Sequence, residues 1–214
     1  MIYCMSDIHG EYQRYLAMLE KIRFSDEDTL YILGDVIDRG HDGVEVLLDI
    51  MNRPNVHMIL GNHEHMCLAT LGPNSEIGAR HIWQKNGGGV TRSSLLYGRG
   101  KPYRGKILRF LFSLPEYIDL TVQGRAFHLV HGYPGESQHT RIWGRPKAGG
   151  TAPIAGTTVI VGHTPTVFLH GDDGNPHRIW YGDGIIDIDC GCGHKEELRR
   201  LACLRLDDMA EFYI

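Results

Sequence analysis

Residues 31–40 read YILGDVIDRG, and this stretch decides the fold because a strand-like apolar run ends there in a cluster of charges. The run Thr29–Leu33 is short and largely apolar, which is typical of a buried β-strand. Asp35, Asp38 and Arg39 follow within five residues, between two glycines. Two interpretations are open at this point: a solvated turn, or a site that binds a metal and a phosphate.

The chain around this stretch alternates between strand and helix patterns. Ile2–Met5 and Val56–Leu60 are apolar runs that, like Thr29–Leu33, end in polar residues. Glu11–Ile22 has apolar residues at helical spacing, and Gly43–Met51 forms a second amphipathic pattern. The order strand, helix, strand, helix, strand predicts an α/β fold with parallel strands. In such sheets, ligands gather beyond the carboxyl ends of the strands.

The second half of the chain has mainly strand patterns. Residues 117–132 predict a β-hairpin, and Thr157–Val161 and Ile185–Asp189 predict further strands. Residues 72–106 are rich in glycine, and we expect them to be irregular around one helix at Ala79–Asn86. The whole pattern predicts two β-rich layers with flanking helices.

Length and charge limit the classes of protein that fit. A chain of 214 residues without an internal repeat or linker predicts one domain over residues 1–214. The net charge of −4 argues against a nucleic-acid partner. A local basic cluster of Lys101, Arg104, Lys106 and Arg109 is expected to face solvent.

The first residues and the cysteines indicate a compartment. The start MIYCMSDIHG has neither a basic region nor a long apolar core, so we predict no signal peptide. No run approaches the roughly 18 apolar residues of a membrane span, so we expect no membrane partner. The five cysteines contain no CxxC pair, and we expect reduced thiols in the cytoplasm. The sequence does not indicate an oligomeric state.

Five polar clusters each follow a strand-like run. One such cluster is weak evidence, but five are hard to explain as separate accidents. Carboxylate and imidazole ligands suit Mn²⁺, Fe and Zn²⁺, and one aspartate can bridge two ions about 3.5–4 Å apart. The clusters are Asp7–His9, Gly34–Gly40, Gly61–Glu64, His131–Gly132 and Gly162–Thr164.

In this order the clusters resemble the signature of the metallophosphoesterase superfamily, specifically its phosphoprotein phosphatase type: DxH, GDxxDRG, GNHE, HG and GH. The segment from Trp83 to Thr91, with its WxxNGG-like start, is similar to the bacterial and phage branch, which is close to symmetrical diadenosine tetraphosphatases. The resemblance implies a calcineurin-like fold, a four-layer α/β/β/α sandwich with a dinuclear metal site at the carboxyl ends of strands.

The resemblance also implies two divalent metal ions as cofactors, with Mn²⁺ expected ahead of Fe or Zn²⁺. Asp35 would bridge the two ions, and a hydroxide bound by both would be the nucleophile. The metal ligands that the resemblance implies are Asp7, His9, Asp35, Asn62, His131 and His163.

The catalytic residues implied by the resemblance are His63 and Asp38. His63 would be the general acid that protonates the leaving oxygen, a role worth roughly 10²–10⁴-fold in rate, and Asp38 would hold it. The histidines that lack a motif, among them His128 and His194, are interpreted as structural.

The phosphate-binding residues implied by the resemblance begin with Arg39, whose planar guanidinium matches phosphate oxygens, and Asn62. The family has a second phosphate-binding arginine after the first late histidine. Both Arg141 and Arg145 follow His131 here, and we favour Arg145 because the bacterial branch has a Trp-x-Arg-like segment.

These roles predict a phosphomonoester hydrolase, and in particular a serine/threonine protein phosphatase acting on a phosphoprotein or a small phosphoester. The alternative is a symmetrical bis(5'-nucleosyl)-tetraphosphatase, because that branch shares all five clusters. A non-catalytic binding module and a nuclease are less favoured, since every implied ligand is intact and the chain is acidic.

Overall fold

The computed structural model describes residues 1–171, 176–194 and 200–214, in which the strands form two five-stranded sheets. The first sheet has the order β10-β9-β1-β2-β3. Strands β1, β2 and β3 are parallel, whereas β9 is antiparallel to both of its neighbours. Its strands are β1 (Ile2–Met5), β2 (Thr29–Ile32), β3 (Val56–Met58), β9 (Ala202–Arg205) and β10 (Glu211–Tyr213).

The second sheet has the order β4-β5-β6-β8-β7. Its three central strands β5, β6 and β8 are parallel, and the two edge strands are antiparallel to their neighbours. The predicted hairpin is confirmed as β4 and β5. The strands are β4 (Tyr117–Val122), β5 (Arg125–Val130), β6 (Thr158–Val161), β7 (Trp180–Tyr181) and β8 (Ile185–Asp187).

In the first half of the chain the helices lie where the sequence patterns predict them. The middle of the chain contains more helix than the patterns predict. The expectation of irregular structure around one helix in residues 72–106 is wrong, because a second helix, α5, lies there and buries Leu95. The helices are α1 (Tyr12–Lys21), α2 (Gly43–Asn52), α3 (Asn62–Leu71), α4 (Ala79–Lys85), α5 (Gly89–Tyr97), α6 (Arg104–Ser113) and α7 (Gln138–Trp143), and 3₁₀ turns lie at Lys101–Tyr103 and Thr166–Phe168.

Clusters of buried apolar side chains hold the layers together. Between the two sheets, Leu33, which follows β2 of the first sheet, packs in one buried cluster with Leu129 and Ile160 of the second sheet. On the other face of the first sheet, Ile32 packs with Tyr15 of α1 in the larger core. Complete burial of one such aliphatic side chain contributes about 1.5–3 kcal/mol, so these cores hold the two sheets and the helices against one another.

The arrangement confirms the predicted α/β class, with two mixed sheets flanked by helices. The parallel strands of both sheets direct their carboxyl ends to the same edge of the molecule, where the polar clusters of the sequence follow them. Among the described residues, none of the helices has the length and apolar content that crossing a membrane requires.

Candidate active site

Side chains from both sheets converge at this edge. Asp7 follows β1, Asp35 follows β2, and Asn62 begins α3 after a short turn that follows β3. His131 and His163 follow β5 and β6 of the second sheet. All five are buried, with at most 8% of each residue exposed, so their polar atoms face one another instead of water.

A first group of possible metal ligands surrounds one oxygen of Asp35. Its Oδ2 lies 3.7 Å from His9 Nε2 and 3.8 Å from His63 Nε2. Asp7 Oδ1 lies 3.8 Å from the same His9 nitrogen. The Nδ1–H of His9 donates to the Ile37 carbonyl over 3.0 Å, which leaves the Nε2 lone pair directed at the carboxylates.

A second group surrounds the other oxygen of Asp35. Its Oδ1 lies 3.4 Å from His131 Nε2, and Asn62 Oδ1 lies 2.9 Å from that nitrogen. The Nδ1–H of His131 donates to the Leu33 carbonyl, which directs Nε2 at these two oxygens, and a proton on Nε2 or a bound metal ion would hold the three atoms together. Burial opposes charge on His131, but Asp35 outweighs it and raises the pKa of His131 to about 10.

His163 completes the second group as a neutral imidazole. Its Nε2 is buried and has no hydrogen-bond partner among the described residues. Burial and the neighbouring His131 lower the pKa of His163 to about 3, so the nitrogen carries a lone pair near neutral pH. A buried polar atom without a partner is uncommon, and a metal ion is one way to satisfy it.

The donor set fits two divalent metal ions. The groups His9, Asp35, His63 and Asp35, His131, His163 each place their ligand atoms within 4.8 Å of one another, and they share Asp35. Carboxylate and imidazole donors suit Mn²⁺, Fe and Zn²⁺.

The backbone at this edge is unusually strained. Nine non-glycine residues of the described part of the chain have positive φ, and six of them are predicted site residues. Such left-handed conformations cost of order 1–3 kcal/mol each and cluster at functional sites. The six are Asp7 (φ 53°), His9 (48°), Asp35 (54°), Asp38 (72°), Arg39 (64°) and His163 (66°).

Glu64 holds the strained loop after β2 in place. Its carboxylate accepts the backbone N–H groups of Asp35 (2.8 Å), Val36 (3.0 Å), Ile37 (3.4 Å) and Gly61 (3.2 Å). Burial and the nearby Asp35 raise the pKa of Glu64 to about 7, while the donated amides act in the opposite direction. A Cβ on Gly61 would lie 2.3 Å from Asp35 Oδ1, so only glycine fits there.

His63 is held by a chain of hydrogen bonds. Its Nδ1–H donates to Asp38 Oδ2 over 2.7 Å, and the Trp83 indole N–H donates to the same oxygen over 2.6 Å. Thr91 Oγ1 accepts the Asp38 backbone N–H at 3.0 Å. Burial opposes charge on His63, but Asp35 and Asp38 outweigh it and raise its pKa.

The two favoured arginines flank the buried groups. Arg39 is exposed, and its Nη1 lies 3.4 Å from His194 Nε2. Arg145 Nη1 donates to Thr164 Oγ1 over 3.2 Å and to the carbonyl of His163 over 3.4 Å. Both guanidinium groups therefore lie beside the predicted centre.

Arg141, the other arginine that the sequence left open, is bound elsewhere. Its Nε pairs with Glu116, and its Nη1 donates to the carbonyls of Gly135 and Glu136 over 2.7 and 2.6 Å. The guanidinium is thus committed to a loop contact, which favours Arg145 as the phosphate-binding candidate.

Several site residues were not assigned a role from the sequence. Trp83 and Thr91 marked a family branch only, and His194 was interpreted as structural. Asp187, at the end of β8, is also buried, and its Oδ2 has no hydrogen-bond partner among the described residues. Burial and Asp189 raise the pKa of this carboxyl group well above its usual value. The sequence signal that could have indicated Asp187 is the alternating IDID pattern in an apolar strand.

Comparison with known proteins identifies the family. The model of the calcineurin-like phosphoesterase family matches residues 1–194. The chain therefore belongs to the calcineurin-like phosphoesterase family, and it is a metallophosphoesterase.

Similar proteins carry two kinds of name. Serine/threonine-protein phosphatase 2 of Escherichia coli is 32% identical over 63% of this chain and 59% of its own length. The Salmonella typhimurium protein of the same name is 29% identical over 76% of this chain and 78% of its own. A symmetrical bis(5'-nucleosyl)-tetraphosphatase of Buchnera aphidicola is 42% identical, over only 29% of this chain and 23% of its own.

Solved structures support the fold. A protein serine/threonine phosphatase from Saccharomyces cerevisiae superimposes with a TM-score of 0.62 at 14% identity, covering 100% of this chain and 78% of the yeast one. At this identity the similarity concerns the fold alone, and it confirms the calcineurin-like architecture.

Replacement of Glu64 tests whether the buried carboxylate holds the centre. In Glu64→Gln, an amide NH₂ would face backbone donors, so we expect a loss of about 2–4 kcal/mol in the free energy of unfolding and weaker Mn²⁺ binding. Urea unfolding and metal titration measure the two effects. Glu20→Gln, at an exposed position of α1, is the control and should change neither. An unchanged free energy of unfolding in Glu64→Gln would show that the Glu64 carboxylate does not hold this loop in place.

Proposed function

We propose that this chain is a metal-dependent phosphomonoester hydrolase that acts as a serine/threonine protein phosphatase. The observation that carries the proposal is the position of Asp35, whose two oxygens face two separate histidine groups. A carboxylate in this position can bridge two metal ions. Because site residues come from both sheets, we also propose that residues 1–214 act as one catalytic domain.

The metal ions would be held by the six predicted ligands, with Mn²⁺ the first choice. When bound, such ions lower the pKa of a water molecule and neutralise charge on a phosphate. The support comes from His163 Nε2, which is buried without a hydrogen-bond partner among the described residues, and from His131 Nε2, which lies beside oxygens of both Asp35 and Asn62. The proposed ligands are Asp7, His9, Asp35, Asn62, His131 and His163.

His63 would donate the proton that the leaving alkoxide needs. Its Nδ1–H is bound to Asp38, so its Nε2 is directed to the centre, where the leaving oxygen would lie. Trp83 supports this orientation by donating to the same Asp38 oxygen. A proton delivered from a fixed imidazole is the usual form of general acid catalysis.

Arg39, Arg145 and Asn62 would bind the phosphate oxygens. The two guanidinium groups flank the centre from opposite loops, one after β2 and one after α7. Arginine forks form paired, charge-assisted hydrogen bonds with phosphate, and these fix the phosphate for in-line displacement.

The similar proteins favour a phosphoprotein substrate. The phosphatase relative from Salmonella matches 76% of this chain, whereas the tetraphosphatase relative matches 29%. A small phosphoester is a substrate that the same centre would accept. A dinucleoside tetraphosphatase is the second candidate, supported by the 42% identity of its shorter match.

The cysteines support a reducing compartment, and we propose the cytoplasm. All five are buried and unpaired. Burial raises the pKa of Cys67 well above its usual range, so its thiol is chemically quiet.

The role of His63 can be separated from metal binding. The protein should hydrolyse an aryl phosphate with Mn²⁺ and lose this activity on chelation. His63→Asn should retain bound metal while turnover falls by about 10²- to 10⁴-fold, because the proton donor is lost. His65→Asn, two residues further on α3, is the matched control. Turnover without metal, or loss of both ions in His63→Asn, would contradict the assignment.

Replacing Arg145 and replacing Arg141 should change different measured quantities. Arg145→Ala should lower kcat/KM for an aryl phosphate by about ten- to a hundredfold, since a charge-assisted contact is lost, with little change in Tm. Arg141→Ala should instead lower Tm and leave kcat/KM nearly unchanged, because its partners are Glu116 and loop carbonyls. The reverse outcome would mean that Arg141 binds the phosphate.

Substrate class is tested on one preparation of the protein. We expect kcat/KM for a phosphoserine or phosphothreonine peptide to exceed that for diadenosine tetraphosphate, in agreement with the longer phosphatase match. A strong preference for the nucleotide would replace the protein phosphatase assignment with the tetraphosphatase one and would leave the metal centre unaffected.

A further inference from the structure

The middle of the chain carries an extreme charge bias. Residues 77–115 contain eight Lys and Arg residues and no Asp or Glu. The other 14 basic residues share the rest of the chain with all 26 acidic ones. The helices α4, α5 and α6 are therefore strongly positive in a protein whose net charge is −4. Such an asymmetry creates a local positive potential, which attracts anions.

A cleft of about 170 Å³ lies between the first two of these helices. Arg80 and Gln84 line it from successive turns of α4, and Arg92 lines it from α5. The backbone of Gly88 and Gly89, where α5 begins, forms another wall. The cleft has room for a carboxylate or phosphate group with several waters, since one water occupies about 30 Å³ in the liquid.

The cleft borders the proposed active site through shared residues. Trp83 lines the cleft, and the same indole donates to Asp38, which holds His63. The turn between α4 and α5 also touches the phosphate-binding loop, because the Gly87 carbonyl accepts the Arg39 backbone N–H at 3.2 Å. The wall of the cleft and the backbone of Arg39 are therefore in direct contact.

The two arginines of the cleft differ from the nearby Arg99 in their partners. Among the described residues, no hydrogen bond or ion pair joins Arg80 or Arg92 to an acidic side chain. By contrast, Arg99, which follows the C-terminal end of α5, pairs with Glu45 at 3.3 Å. The first-turn amides of α5 add partial positive charge beside Arg92.

We propose that this cleft binds a second anionic group on the substrate, a carboxylate or a phosphate on the peptide that carries the scissile phosphoserine or phosphothreonine. This inference rests on the proposed function and adds a preference for acidic sequences to it. Arg80 and Arg92 would act as specificity residues through forked hydrogen bonds, and the first-turn amides of α5 would add to them. Because both side chains reach solvent, the contribution weakens with salt.

The test compares two phosphothreonine peptides that differ only in glutamate or glutamine at the flanking positions. For the wild-type protein with Mn²⁺, we expect kcat/KM to favour the acidic peptide by about tenfold, which corresponds to about 1.4 kcal/mol. The preference should shrink at about 0.5 M salt. The double variant Arg80→Gln, Arg92→Gln should lose most of it, mainly through a higher KM for the acidic peptide.

A charge-matched control separates the cleft from the general field. Arg104→Gln, Lys106→Gln removes the same charge from the exposed start of α6, outside the cleft, and should keep the preference. Thermal unfolding checks that both double variants are folded. An equal loss in both variants would overturn the cleft as a site, since it would assign the effect to net charge.

The remaining outcomes are also decisive. If the wild-type protein hydrolyses both peptides equally, the cleft proposal is wrong and the proposed function stands. If it hydrolyses neither peptide nor an aryl phosphate, both proposals are wrong. If the Arg80, Arg92 variant loses activity on diadenosine tetraphosphate but keeps the peptide preference, the cleft serves a polyphosphate and the peptide proposal is overturned.

Discussion

The buried carboxylate of Glu64 is the interaction on which the candidate site depends. It accepts four backbone N–H groups, three from the loop after β2 and one from the turn that begins α3. Backbone amides in that loop would otherwise be buried without partners, at about 1–3 kcal/mol each. One side chain thus ties two strand ends into a single rigid unit, and Asp35 and His63 are positioned by the same contact.

Asp35 then joins this unit to the second sheet. Its Oδ2 faces His9 and His63 of the first sheet side, and its Oδ1 faces His131, which follows β5. The apolar core between the sheets fixes their separation, so the geometry of the centre depends on packing well away from it. Metal binding therefore depends on sheet packing, since neither sheet alone supplies both groups of ligands.

The sequence predicted the elements whose periodicity is strong, and it predicted less where glycine interrupts the pattern. Helices α1 and α2 show a clear apolar stripe, whereas α5 begins at Gly89 after two further glycines and was missed. The meeting of the polar clusters could be predicted, because each cluster follows a strand-like run and parallel strands bring the residues that follow them to the same edge. The backbone donors that Glu64 accepts from the loop after β2 could not be predicted, since they are distant in sequence. Arg145 was favoured over Arg141 through the family resemblance alone, and only the structure shows that Arg141 is bound to Glu116 and loop carbonyls.

The left-handed backbone of the predicted site residues has an evolutionary consequence. Asp7, His9, Asp35, Asp38, Arg39 and His163 all have positive φ, where glycine is the relaxed choice. At about 1–3 kcal/mol each, the combined strain is comparable with the net stability of a typical domain, about 5–15 kcal/mol. Selection for robustness alone would favour glycine at these positions, whereas selection for chemistry keeps charged and imidazole side chains. In a lineage that lost the activity, we expect glycine substitutions to accumulate first at these positions, and the free energy of unfolding to rise as they do.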